Sequence, residues 1–141
     1  MELNRGQRVA LPDLFSSMSI EVGIDLQGIA VDLSCFGVDA DGRLSDERYM
    51  TFFNQPQTPC GGVQIGSPAG FMAGFRLALD QLPAMIDRLV LVAAIDGAGT
   101  MRQLTAGRVC LIEHGQIKAT FALRGSDFAD ERALMLAEIY R

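Results

Sequence analysis

Ile29-Ala30-Val31-Asp32-Leu33-Ser34-Cys35-Phe36 runs into Asp39-Ala40-Asp41-Gly42, and Leu44 to Phe53 runs back out of it. In the first limb Ile29, Val31, Leu33 and Cys35 alternate with Asp32 and Ser34, the period-2 pattern of a half-buried β-strand. At Cys35-Phe36 the phase flips and Phe36 and Val38 carry the apolar set onward, which predicts a β-bulge. Asp39-Ala40-Asp41-Gly42 has turn chemistry, because aspartate side chains cap nearby backbone and glycine accepts a positive φ. The return limb holds Tyr49, Met50, Phe52 and Phe53 and ends at Asn54-Gln55-Pro56. The stretch from Ile29 to Asn54 therefore reads as a β-hairpin.

Outward from this hairpin the same signal recurs. Val9 and Leu11 predict a short first strand, and Met18, Ile20 and Val22 alternate with Ser19 and Glu21. Gln57 to Gly74, rich in Gly, Pro and Ser, reads as loop with one short strand at Val63 to Ile65. Phe75, Leu77 and Leu79 make another strand, Leu82-Pro83 starts a helical turn through Arg88, and Leu89 to Ile95 is a continuous apolar strand expected to be buried on both faces. Val109 to Ile112 and Ile117 to Leu123 flank His114-Gly115 as the clearest hairpin. Asp130 to Arg141 reads as a helix, with Ala133, Leu134, Ala137 and Ile139 on roughly one side. The expectation is all-β: one domain over residues 1–141, a two-sheet β-sandwich with one short helical turn and a C-terminal helix.

With 141 residues, 49% of them hydrophobic, the chain has enough apolar material for one core. A net charge of −5 argues against nucleic acid, whose phosphates demand clustered Lys and Arg. Cys35, Cys60 and Cys110 are an odd number without CxxC spacing, so neither a disulfide framework nor a zinc ribbon is implied; Cys35 and Cys110 are expected as buried free thiols. No secretory leader is visible and Leu89 to Ile95 is too short to span a bilayer, which makes a reducing cytoplasm the default.

Motifs for catalysis are missing. His114, the only histidine, sits at a hairpin tip with no nucleophile indicated beside it. There is no G-x-S-x-G elbow, phosphate loop or dinucleotide fingerprint. Read as an EF-hand from Asp39, the chain places glycine at position four and Met50 at position twelve, where that loop needs positions six and twelve to be Gly and Glu. A looser carboxylate set of Asp25, Asp32, Asp46 and Glu47 remains, and hard cations require such oxygens to converge from different segments.

The central pattern resembles the TerD family of bacterial tellurium-resistance and stress proteins. Val31-Asp32-Leu33-Ser34-Cys35-Phe36 is similar to the family's D-x-D-A-S-x-F strand, and Asp39-Ala40-Asp41-Gly42-Arg43 to its D-x-x-G-K turn. Ser45-Asp46 matches its acidic pair and Phe52-Phe53-Asn54-Gln55 its F-x-F-Y-N-Q strand end. Weaker pieces follow in order: Gly6 to Leu11, Leu82-Pro83 to Ile95, and Glu138-Ile139-Tyr140-Arg141 against G-E-[LI]-Y-R. The resemblance implies a β-sandwich that typically binds calcium through acidic loops, in non-catalytic members of membrane-associated assemblies.

The departures bear on that role. Ala30 stands where the family has its first strand aspartate, leaving Asp32. The acidic loop G-D-N-x-T-G-x-G-x-G-D-D-E is replaced by Gly66-Ser67-Pro68-Ala69-Gly70-Phe71-Met72-Ala73-Gly74, without a carboxylate. Typical members also continue past the Tyr140-Arg141 position, so a short variant and a domain of a longer protein are both open.

These features lead to a non-catalytic domain of a tellurite-resistance or stress-response system, acting with other proteins and lacking the main calcium loop. Phe71 and Met72 either offer a contact surface or pack on the core. The alternative is calcium binding through residual carboxylates, Asp32 and Asp46 foremost.

Overall fold

The computed structural model describes residues 1–140. Ten strands form: β1 (Glu2–Leu3), β2 (Ser19–Gln27), β3 (Val31–Val38), β4 (Met50–Thr51), β5 (Val63–Ile65), β6 (Ala73–Ala78), β7 (Arg88–Ile95), β8 (Ala106–Glu113), β9 (Gln116–Leu123) and β10 (Ala133–Tyr140). They make a six-stranded sheet in the order β1-β9-β8-β2-β6-β5 and a four-stranded sheet in the order β10-β7-β3-β4. Every pairing is antiparallel except β1 with β9.

Alternation places the core. Ile20, Val22, Ile24 and Leu26 point inward from β2 and are buried, as are Leu89, Leu91 and Ala93 of β7. The two sets belong to one apolar cluster, joined by Cys35, Phe75, Leu77, Val109 and Leu123. Burying such side chains contributes about 1.5–3 kcal/mol each, which drives the sheets face to face. Cys35 and Cys110 are buried free thiols, as expected, and burial pushes the Cys35 thiol up to about 12.

Several sequence expectations are corrected. Residues 133–140 form β10 rather than a helix, pairing with β7 from Ala133↔Ala94 to Tyr140↔Arg88. Ala, Leu, Met and Glu favour helix intrinsically, but β7 offers a long apolar ladder, and tertiary pairing outweighs propensity. A bulge between Met135 and Ala137 disguised the strand period by placing Leu136 and Ala137 on the same side. The expected bulge at Cys35-Phe36 is absent, since β3 pairs with β7 in unbroken register from Val31 to Val38. Gly37 takes the next inward place, tight against Tyr49 and Ile86, so the phase never flips.

The hairpin of residues 29–54 is looser than anticipated: only Cys35↔Thr51 and Phe36↔Met50 pair. A 3-10 turn over Glu47–Tyr49 fills the return limb. The first strand is Glu2–Leu3, while Leu11–Asp13 is a 3-10 turn led by Pro12. In place of the helical turn from Leu82, a 3-10 turn covers Leu79–Gln81 and a tight turn links Pro83 to Ile86. β7 is buried on its inner face alone, with Val90, Val92 and Ala94 half-buried on the outer one.

Candidate functional site

The segment that stands where the family pattern has its acidic loop lies against the outer face of the six-stranded sheet. Gly23 of β2 and Gly74 of β6 are cross-strand partners, and two facing glycines leave a trough with no side chains. Pro68 and Phe71 fill it. A β-carbon on Gly74 would lie 2.8 Å from the Pro68 ring and 2.1 Å from the Val22 carbonyl oxygen, and one on Gly23 would lie 2.6 Å from the Phe71 ring. The turn between them closes through the Phe71 N–H donating to the Pro68 carbonyl, with Gly70 at φ 87°.

Above Phe71 sits Arg108 of β8, its guanidinium carbon 4.2 Å from the ring centroid, a cation–π stack. Asp25 of β2 ties the assembly together. Its Oδ2 accepts from Arg108 Nε at 3.0 Å and its Oδ1 from the Met72 N–H at 2.7 Å. The Leu26 N–H, past the last β2–β6 pair, lies 3.2 Å from Met72 Sδ. Phe71 is thus half-buried between glycine and guanidinium, whereas Met72 remains 56% exposed.

The residual carboxylates go elsewhere. Asp32 is exposed on the outer face of the four-stranded sheet, opposite Ala94. Asp46 caps the Glu47–Tyr49 turn: its Oδ1 accepts from the Arg48 N–H at 3.0 Å and Nε at 3.1 Å, and its Oδ2 from Nη2 at 2.7 Å. Those bonds from Arg48 hold its carboxyl below the usual range. Asp39 Oδ1 accepts from the Asp41 and Arg43 N–H groups, the expected turn chemistry. Among the described residues, no group of three or more His, Cys, Asp or Glu side chains is placed to hold a metal. The donor set that calcium requires, several converging oxygens, does not fit these residues.

Two further features lie outside the loop. His114 and Gly115, both at positive φ, form the two-residue tip between β8 and β9, and His114 lines an open cleft of about 380 Å³ with Ser19, Glu21, Gln64 and Arg76. Glu113, next to it, is buried and was not singled out by the sequence. Its oxygens accept from the backbone N–H and hydroxyl of both Ser16 and Ser17 at 2.9–3.3 Å. Among the described residues no helix is long and apolar enough to cross a membrane.

A β-sandwich with a loop folded onto one outer face is the class this geometry defines. The TerD domain model matches residues 1–141, and the chain belongs to the TerD family. It is 24% identical over 160 residues to the tellurium resistance protein TerD of an Alcaligenes species, across 100% of this chain and 83% of that protein. A crystal structure of a TerD homologue from Streptomyces coelicolor A3(2) has TM-score 0.65 and 22% identity, covering 87% of this chain and 80% of that one. Another, of a protein of unknown function, has TM-score 0.63 and 17% identity at the same coverage. These structures share the fold.

Proposed function

We propose that this TerD-family domain serves as a non-catalytic interaction or scaffold module of a tellurite-resistance or stress-response system in the cytoplasm, working without calcium in the 66–72 loop. The observation that carries the reading is the use of Asp25. Both its oxygens are engaged, one by the loop backbone at Met72 and the other by Arg108, which also stacks on Phe71. Protein groups thus do locally what an ion does when it draws an acidic loop together. A guanidinium stacked on an aromatic ring supplies the positive charge, and Asp25 answers it.

On this reading Phe71 anchors the loop and Met72 is its contact residue, presented to other proteins of a membrane-associated assembly. Thermal melting with and without a calcium chelator tests it. The melting temperature is expected to stay the same, and titration with calcium to give no heat. Stabilisation by calcium at millimolar concentration or below would defeat the reading, because any ligand selective for the folded state must raise the melting temperature.

A further inference from the structure

A buried backbone N–H needs an acceptor, and a thioether is a weak one. β2 runs past its last pair with β6, Ile24 with Ala73, so on that side the ladder offers Leu26 no carbonyl. The Leu26 N–H instead meets Met72 Sδ at 3.2 Å. Met72 is fixed at two further points: its N–H donates to Asp25 Oδ1 at 2.7 Å, and its carbonyl accepts from the Ser67 hydroxyl at 3.4 Å. Met18, Met85 and Met135 are exposed to a similar degree as Met72, whereas Met101 is buried. Among the described residues only the Met72 sulfur accepts a hydrogen bond.

A thioether sulfur carries two lone pairs, one on each side of its C–S–C plane, and the Leu26 N–H covers one of them. Met72 is 56% exposed, which leaves the other open to solvent and to a hydroperoxide dissolved in it. Attack by that lone pair on hydrogen peroxide forms an S–O bond and breaks the O–O bond. The proton of the attacked oxygen passes to the leaving oxygen, which departs as water. Sulfur gives up two electrons, the peroxide takes them, and the product is the sulfoxide. A sulfoxide sulfur is a stereocentre, so attack from one side yields one epimer.

We propose that Met72 is an oxidative modification site at which the Leu26 N–H selects the sulfoxide epimer, and that the modification loosens the 66–72 loop from β2. The lone pair left facing Leu26 belongs to a sulfur made electron-poor by its new oxygen, and it accepts more weakly. The oxygen stands on the far side, toward solvent. Bringing it to Leu26 requires turning over a side chain whose backbone Asp25 and Ser67 hold. The site thus has two states, and a reductase specific for that epimer returns it to the first. Where Met72 is the loop's contact residue, a consequence that rests on the reading above, the same oxygen makes the contact polar.

Brief hydrogen peroxide treatment of the folded chain, then digestion and separation of the sulfoxide diastereomers of each methionine peptide, tests this. The measurement involves no calcium and no partner, so its outcome is separate from that of the chelator melt. At Met72 one epimer is expected to exceed the other about fivefold, the factor that a hydrogen bond of about 1 kcal/mol enforces. Met18, Met85 and Met135 are expected to give nearly equal epimers, as is Met72 when the chain is unfolded in urea before treatment. Amide exchange at Leu26 is measured in protein carrying Met18→Leu, Met85→Leu and Met135→Leu. Oxidation is expected to quicken it by about the same factor, and the epimer-specific reductase to reverse the change. Equal epimers at Met72 in the folded chain, a bias that survives urea, or Leu26 exchange unchanged or slowed by oxidation would overturn the proposal.

Discussion

At the scale of single residues, Glu113 is the clearest case of a polar group held by its surroundings. It is buried at the end of β8, and the Ser16 backbone N–H is the strongest of the groups that hold its carboxyl below the usual value, followed by the Ser17 hydroxyl. A group whose folded pKa is depressed stabilises the fold above its unfolded value and loses that contribution as pH falls through the folded one. The 14–18 segment should therefore loosen as pH drops below about 4.5, the ordinary value. Replacing Glu113 by Gln should lower the melting temperature at pH 7 and flatten its fall between pH 5 and pH 3; melting curves of both proteins across that range that ran parallel would refute the assignment. Nothing in the sequence marks Glu113, since its partners lie 96 and 97 residues away. The same holds for Gly23 and Gly74. Sequence shows Gly23 as an isolated glycine and Gly74 as the end of a Gly-rich loop, and only the register makes them a joint seat for Phe71 and Pro68.

Elements were legible where a local signal coincided with the tertiary one. The β8–β9 hairpin combines alternation in its second strand with a two-residue tip, and it forms where expected, although a register shift between Leu111 and Ile112 leaves Ile117 exposed. The sequence of β10 points to a helix instead, because its composition favours helix and its bulge breaks the strand period. The hairpin at residues 29–54 was half right: the turn is built by Asp39, but its return strand shrinks to two residues because Asp46 caps a 3-10 turn first. The candidate loop was legible as a departure from the family pattern. Its anchor was not, because Asp25 and Arg108 come from distant strands. The β8–β9 tip allows a prediction. His114 sits at φ 50° beside Gly115 at φ 77°, the left-handed pair of a type I′ turn, in which Asn is favoured at the first position. Exchanging His114 for Asn should stabilise the protein by about 0.5 kcal/mol, and exchanging it for Val should cost about 1–2 kcal/mol. Urea denaturation measures both, and the reverse order would mean that the tip does not adopt this turn.

For the molecule as a whole, the two sheets share one interior while their outer faces differ. The 66–72 loop roofs part of the six-stranded sheet, whereas the four-stranded sheet leaves Met135 and Tyr140 open to solvent. Sharing one interior has an energetic consequence. Ile24 of the six-stranded sheet is 1% exposed and Leu91 of the four-stranded sheet 0%, and both lie in the same apolar cluster. Neither sheet can keep its inner face dry without the other. Cutting either side chain to Ala should cost about 3 kcal/mol, through lost burial and the cavity left behind, lowering the melting temperature by about 10 °C. The cost should fall on both sheets together. Far-ultraviolet circular dichroism should show a single transition for either variant, and amide exchange should accelerate equally in β2 and β7. If Leu91→Ala loosened β3, β7 and β10 while β2 and β8 kept their protection, the sheets would be separate folding units and the shared interior would not couple them.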